Sequence, residues 1–76
     1  MRKVLCPGDV LKNGATVVAV RPRRQSDYLF VLFCEVSDKS GVTPYVTWLF
    51  NSHRDLCFEG RYFENEDEAY SDFQAR

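Results

Sequence analysis

Side chains with catalytic or metal-binding chemistry are few in this chain and lie far apart. His53 is the single histidine, and the three cysteines, Cys6, Cys34 and Cys57, contain no Cys-x-x-Cys pair. A zinc site needs three or four ligands, and this set has no ligand spacing. Nucleophilic catalysis needs a base within reach of the nucleophile, but a predicted loop separates His53 from Cys57, which is expected to point inward. The sequence therefore predicts no catalytic residue, no metal site and no cofactor.

Acidic residues form the densest charge cluster, and this cluster lies near the C-terminus. Its members are Glu64, Glu66, Asp67, Glu68 and Asp72. Acids at the start of a helix stabilise it through the macrodipole, so helix capping is one sufficient explanation. The functional hypothesis is that Glu68 and Asp72, one helical turn apart, form a row of negative charge with their neighbours. A basic DNA-binding surface would accept such a row in place of nucleic acid.

Arginine is concentrated in the predicted connector 21–27. Arg21, Arg23 and Arg24 precede the aromatic Tyr28. Cations that contact phosphates and an aromatic ring that stacks on a base are typical of small single-strand-binding domains. A solvated loop explains the same residues, and the overall pI of 5.7 is low for a nucleic-acid-binding domain.

The length and the cysteine content limit the class of protein. Seventy-six residues predict a single domain, 1–76, near the small end of what folds alone. An odd number of cysteines favours a reducing compartment, with Cys34 and Cys57 expected in the core and Cys6 at the surface. The N-terminal apolar stretch is cut by Pro7-Gly8, so no export signal is predicted, and no run reaches the roughly 18 residues of a membrane span. We expect a cytoplasmic protein.

The net charge of −1 conceals an asymmetry between the two halves of the chain. Residues 1–40 contain seven Lys/Arg and four Asp/Glu, which gives +3, whereas residues 41–76 contain three and seven, which gives −4. Asymmetry of this kind between two halves of a chain can mark an electrostatic partner.

Turn residues and apolar runs predict a β-rich fold. Asn13-Gly14 between apolar residues predicts a tight type I′ hairpin, whose second strand covers about 15–21 and ends at Pro22. Residues 28–36 are apolar at both parities, as in a central strand covered on both faces. After a loop at 37–44, the segments 45–50 and 57–63 predict a second hairpin through the polar loop 51–56.

The second hairpin contains a packing signal. Phe58, Gly60 and Tyr62 share one parity of the return strand, and Gly60 would leave space for a bulky neighbour such as Trp48.

The last thirteen residues, 64–76, predict a short amphipathic helix. Asn65 is a suitable N-cap, with Glu68 three residues later as in a capping box. Ala69, Tyr70 and Phe73 fall on one side and are expected to pack on the sheet. The predicted fold class is therefore α+β: a four- to five-stranded, mostly antiparallel β-sheet with one C-terminal α-helix packed on one face.

Part of the sequence resembles a recurrent small-protein module of bacteriophage and prophage genomes. The resemblance covers about the last 32 residues: Tyr45-Val46-Thr47-Trp48, then Cys57 to Phe63, then Asp67-Glu68-Ala69, Asp72-Phe73 and Arg76. Small acidic phage proteins include many inhibitors of host defence, and the chain resembles the anti-CRISPR proteins that block type I interference complexes. The resemblance implies a protein partner, a basic DNA-binding subunit of a bacterial defence complex, in the host bacterial cytoplasm. Anti-CRISPR proteins share no common motif, so it assigns no role to any residue.

The function predicted from the sequence is that of a non-enzymatic, monomeric inhibitor. Its acidic cluster would occupy the nucleic-acid-binding surface of a protein, as a DNA mimic, with no membrane and no direct contact to nucleic acid. Two alternatives remain open. One is a small nucleic-acid-binding β-module that uses the basic loop, and the other is an interaction subunit that pairs through an exposed sheet edge.

Overall fold

The computed structural model describes residues 5–36 and 44–76. Its elements are β1 (Thr16–Pro22), β2 (Leu29–Glu35), β3 (Tyr45–Asn51), β4 (Leu56–Phe63) and α1 (Glu66–Ala75). The strands form one antiparallel sheet in the order β1-β2-β3-β4, and α1 packs on one face of it. The predicted α+β class is confirmed. Most of the predicted loop at 37–44 lies outside the described residues.

The first turn differs from the predicted type I′ hairpin. Gly14 has a φ of 91°, whereas Asn13 has no positive φ, so a two-residue type I′ turn is the wrong prediction. The Gly14 N–H donates to the Leu11 carbonyl and the Leu11 N–H donates to the Ala15 carbonyl, which is the pattern of a three-residue loop closed by a left-handed glycine. Before this turn, Val10 forms an isolated antiparallel bridge with Thr16. The Gly8 N–H also donates to the Val17 carbonyl, and the Val17 N–H donates to the Asp9 carbonyl.

The strand β2 is central, as its sequence predicts. It pairs with β1 on one side and with β3 on the other. Val31 and Phe33 face α1, whereas Leu32 and Cys34 face the opposite side. All four side chains are at most 2% exposed, which accounts for apolar residues at both parities.

The sheet separates two apolar clusters. The cluster under α1 contains Val31, Phe33, Leu49, Ala69 and Phe73. The cluster on the opposite face contains Ala15, Val17, Leu32, Cys34, Val46, Trp48 and Phe50, with Leu5 and Leu11 of the N-terminal segment packed against it. Side chains therefore pack on both faces of the sheet, although among residues 5–36 and 44–76 only one face carries a helix.

A β-bulge in β4 changes which residues of this strand share a face, so the predicted alternation does not hold along its whole length. The register passes from Thr47 opposite Arg61 to Leu49 opposite Phe58, so an extra residue lies across from Trp48. One inserted residue reverses the alternation of faces. Phe58 therefore packs in the cluster under α1, whereas Tyr62 lies edge-on to Trp48 on the other face, with ring centroids 6.3 Å apart. The prediction that Phe58 and Tyr62 share a face is wrong.

The predicted contact between Gly60 and Trp48 is confirmed. A Cβ atom on Gly60 would lie 2.9 Å from Cδ1 of Trp48 and closer still to Nε1. The indole ring therefore occupies the space that a side chain at position 60 would need, and Trp48 is 8% exposed.

The helix α1 begins and packs largely as predicted. The side chain of Asn65 accepts hydrogen bonds from the backbone N–H groups of Asp67 at 2.7 Å and Glu68 at 3.4 Å, which confirms the N-cap. Ala69 and Phe73 are buried. Tyr70 is 45% exposed but still contacts the ring of Phe73, with centroids 5.9 Å apart.

The three cysteines have different environments. Cys6 is exposed, Cys57 is half-buried and Cys34 is buried. Burial, and to a smaller extent the neighbouring Cys57, raises the pKa of the Cys34 thiol to about 12. Burial and then the charge of Asp55 also raise the pKa of Cys57.

These environments predict the order in which the thiols are alkylated, because the thiolate is the reactive form. At pH 8 we expect iodoacetamide to modify Cys6 first, Cys57 more slowly, and Cys34 only when the protein unfolds. Mass spectrometry of peptides after timed labelling measures the three rates. Modification of native Cys34 as fast as Cys6 would contradict the assigned burial, and labelling in urea, where all three should react alike, is the control.

Candidate functional site

An open groove lies along the side of α1. It has a volume of about 560 Å³ and is lined by Phe63, Asp67, Glu68, Ser71, Asp72 and Ala75. The lining combines apolar atoms of Phe63 and Ala75 with carboxylates. A lysine or arginine side chain has the same combination, an apolar stem and a cationic head, so the groove is chemically suited to a basic side chain of a partner.

Four of the five predicted acidic site residues lie on the surface beside this groove. Glu64, Glu66, Asp67 and Glu68 are exposed, and no ion pair joins any of them to another residue of 5–36 or 44–76. We call these four residues the acidic face. It carries four negative charges within five positions.

Asp72, the fifth predicted acidic residue, has a different environment. Its side chain is 16% exposed. Oδ2 accepts a hydrogen bond from the hydroxyl of Thr47 at 2.6 Å, and Oδ1 accepts one from Nη1 of Arg61 at 2.8 Å. Asp72 contributes to the wall of the groove, but its carboxylate is already bound within the fold.

The same hydroxyl connects Asp72 to a buried arginine. Nη1 of Arg76 donates to both Oγ1 and the carbonyl oxygen of Thr47, each at 3.1 Å. The Arg76 side chain is 5% exposed, and its Nη2 lies 3.6 Å from a carboxylate oxygen of Glu59. Burial first, and the positive charge of Arg61 second, lower the pKa of Arg76.

A smaller cleft lies at the C-terminal end of α1, where these groups meet. Its volume is about 250 Å³, and it is lined by Arg23, Leu49, Glu59, Arg61, Ala75 and Arg76. We call it the arginine cleft. Three of the six lining residues are arginines, and only Glu59 among the six is acidic.

The predicted basic loop does not act as one unit. Nη2 of Arg21 donates to the carbonyl oxygens of Phe73 at 2.8 Å and Gln74 at 3.2 Å, so this arginine satisfies the C-terminal carbonyls of α1. Arg23 lines the arginine cleft, while Arg24 is exposed. Tyr28 stacks on His53, with ring centroids 5.2 Å apart. The two aromatic rings thus contact each other, and two of the arginines are directed toward the helix end.

The described part of the chain contains neither a cluster of metal ligands nor a membrane-spanning helix. Within it, no group of three or more His, Cys, Asp or Glu side chains is arranged to hold a metal ion. No helix among residues 5–36 and 44–76 has the length and apolar character required to cross a bilayer.

Sequence reasoning missed the residues of the arginine cleft other than Arg23. Arg61 and Glu59 lie in a strand whose alternation is broken by the bulge, so parity could not assign their faces. Thr47 is polar but 0% exposed. Its hydrogen bonds with Asp72 and Arg76 compensate for the burial of its hydroxyl. The available signal was the pair Glu59-Gly60, because a glycine inside a strand often marks a bulge.

Comparisons of the chain with protein-family models, with curated proteins and with solved structures give no match. The resemblance to phage-encoded inhibitors therefore stays a prediction, and the structural features that bear on function are the acidic face and the arginine cleft.

Proposed function

We propose that the protein is a non-enzymatic inhibitor that binds a nucleic-acid-binding bacterial protein through the acidic face. The partner to test first is the DNA-binding subunit of a type I CRISPR interference complex, in the host cytoplasm. The acidic face and the groove beside it would take the place of DNA phosphates on this partner.

The observation that supports the proposal is that the acidic face exceeds what the helix needs. The side chain of Asn65 already accepts from the N–H groups of Asp67 and Glu68. Charge at a helix start contributes only about 0.3–1 kcal/mol per group. Four neighbouring carboxylates that have no cationic partner among the described residues also repel one another. A basic partner surface would remove this repulsion, and the fold itself supplies no such surface within the described residues.

The groove beside the acidic face provides a surface that is complementary in shape to a basic side chain. A lysine or arginine of the partner can lay its stem against Phe63 and Ala75 while its head meets Asp67 and Glu68. Charge complementarity at this position would accelerate encounter with a basic groove and make it sensitive to salt.

The test compares two double variants with the same change in charge. D67N/E68Q removes two charges from the acidic face, whereas D27N/D55N removes two charges from loops at the opposite end of the sheet. We expect D67N/E68Q to slow association with a purified type I interference complex about tenfold at low salt, because steering by charge acts mainly on the association rate. D27N/D55N should associate like the wild type.

Biolayer interferometry at several salt concentrations measures both rates, and circular dichroism verifies that each variant is folded. Wild-type protein that fails to bind the complex, or D67N/E68Q that binds it as fast as the wild type, would contradict the proposal. The alternatives have separate readouts: an oligonucleotide mobility shift at low salt for the nucleic-acid-binding module, and a mass that rises with concentration for edge pairing.

A further inference from the structure

We propose that the arginine cleft is a binding site for a phosphate group, independent of the acidic face. The cleft brings Arg23, Arg61 and Arg76 together from three separate parts of the chain. Arginine is the side chain best suited to this ligand, because its planar guanidinium donates two parallel hydrogen bonds to phosphate oxygens.

The charges of the cleft are incompletely balanced. Arg61 is paired with Asp72 at 2.8 Å. Arg76 has a looser contact with Glu59 at 3.6 Å. Arg23 forms no ion pair with any residue of 5–36 or 44–76. A buried arginine held next to two others is electrostatically costly, and an anion between them would lower that cost.

Glu59 is the internal group that the ligand would displace. Its side chain is 65% exposed, whereas the Arg76 side chain that it faces is 5% exposed. The carboxylate can therefore turn into solvent while the guanidinium stays in place. After this movement, three arginines remain against the single charge of Asp72, and the excess of two positive charges matches a phosphate dianion.

The size and rigidity of the cleft agree with this ligand. A volume of about 250 Å³ holds a phosphate group together with several waters, each of which takes about 30 Å³ in the liquid. Arg76 is fixed by its hydrogen bonds to Thr47, and Arg61 by its bond to Asp72. Two of the three donors are thus oriented before the ligand arrives, which reduces the entropy lost on binding.

The experiment is a titration with inorganic phosphate at constant ionic strength, followed by NMR of the arginine Nε–H groups. We expect saturable shifts of the Arg23, Arg61 and Arg76 signals, and weaker binding of acetate. R23A should raise the Kd for phosphate about ten- to hundredfold, since a charge-assisted hydrogen bond contributes roughly 1.5–3 kcal/mol. E59Q should lower the Kd several-fold, because the competing carboxylate is removed.

R24A is the matched control. It removes the same charge at the position next to Arg23, but the Arg24 side chain does not line the cleft. It should bind phosphate like the wild type. Methyl phosphate in parallel distinguishes the source of the group: tighter binding than inorganic phosphate indicates an esterified ligand, and equal or weaker binding indicates free phosphate. Absence of saturable shifts, or equal losses in R23A and R24A, would overturn the site.

Discussion

Replacement of Gly60 by alanine is expected to lower the free energy of unfolding by about 3 kcal/mol, near the top of the range for overpacked cores. The added Cβ would lie 2.9 Å from Cδ1 of Trp48, and the indole is only 8% exposed, so it has little space to move away. For a domain of this size the loss corresponds to a fall in Tm of roughly 12–24 °C. Thermal unfolding followed by far-ultraviolet circular dichroism measures it.

The sign of this effect is informative. Gly60 has no positive φ, so alanine is conformationally allowed there, and a glycine-to-alanine change at such a position normally stabilises a protein by about 0.4–1 kcal/mol. A loss would therefore come from the contact with the indole alone. A stability of G60A equal to or above that of the wild type would show that Trp48 does not lie against Gly60.

Two further variants separate the steric effect from backbone strain. In the double variant W48F/G60A, the smaller ring should recover part of the loss, so the two changes should be less than additive. Gly14 provides the contrast, because a Cβ there would meet no atom within 4 Å although φ is 91°. G14A should destabilise the protein through strain, and W48F should not reduce that cost.

The second large effect is expected at Asp72. D72A should lower the free energy of unfolding by about 2–3 kcal/mol, because it leaves the buried Thr47 hydroxyl without its acceptor and Arg61 without its counter-ion. The partly exposed position of Arg61 limits the electrostatic share of this loss. D72N should cost less, since its amide oxygen can still accept from Thr47. Urea unfolding measures the three stabilities.

D67A is the matched control for D72A. Both change an aspartate of α1 to alanine, but Asp67 is exposed and has no ion pair in the described chain. Its loss should cost no more than about 0.5–1 kcal/mol, from the helix macrodipole. Equal losses for D72A and D67A would contradict the network that joins Asp72, Thr47 and Arg76.

Gly60 and Asp72, the positions of the two largest expected losses of stability, also position residues that line the arginine cleft. The bulge at Gly60 sets the positions of Glu59 and Arg61, and Asp72 holds Arg61 in place. Glu59 adopts a φ of 52°, a left-handed conformation that costs a non-glycine residue roughly 1–2 kcal/mol. Trp48 packs against the bulge at Gly60. A Cβ at position 60 would displace the backbone that carries Glu59 and Arg61, so we expect G60A to weaken phosphate binding as well as stability.

Local features of the fold followed from the sequence alone. The strands β2 and β3, the end of β1 at Pro22, the Asn65 cap and the start of α1 were all predicted, because each depends on residues only a few positions apart. The space that Gly60 leaves for Trp48 was also predicted, since a missing side chain and a large ring lay on neighbouring predicted strands. The α+β class followed from these elements.

Which residues form the acidic face and the arginine cleft was determined by the tertiary structure. Whether β4 contains a bulge depends on its pairing with β3, and that one residue determined that Arg61 faces α1 and that Phe58 and Tyr62 lie on opposite sides. The hydrogen-bond partners of polar and charged side chains could not be predicted from the sequence either. Arg21 donates to a carbonyl 52 positions away, and Thr47 donates to a carboxylate 25 positions away. The sequence located the charges along the chain. Only the packing of α1 on the sheet determined that Asp72 is bound within the fold, that the acidic face has no ion pair with residues 5–36 or 44–76, and that three arginines share one cleft.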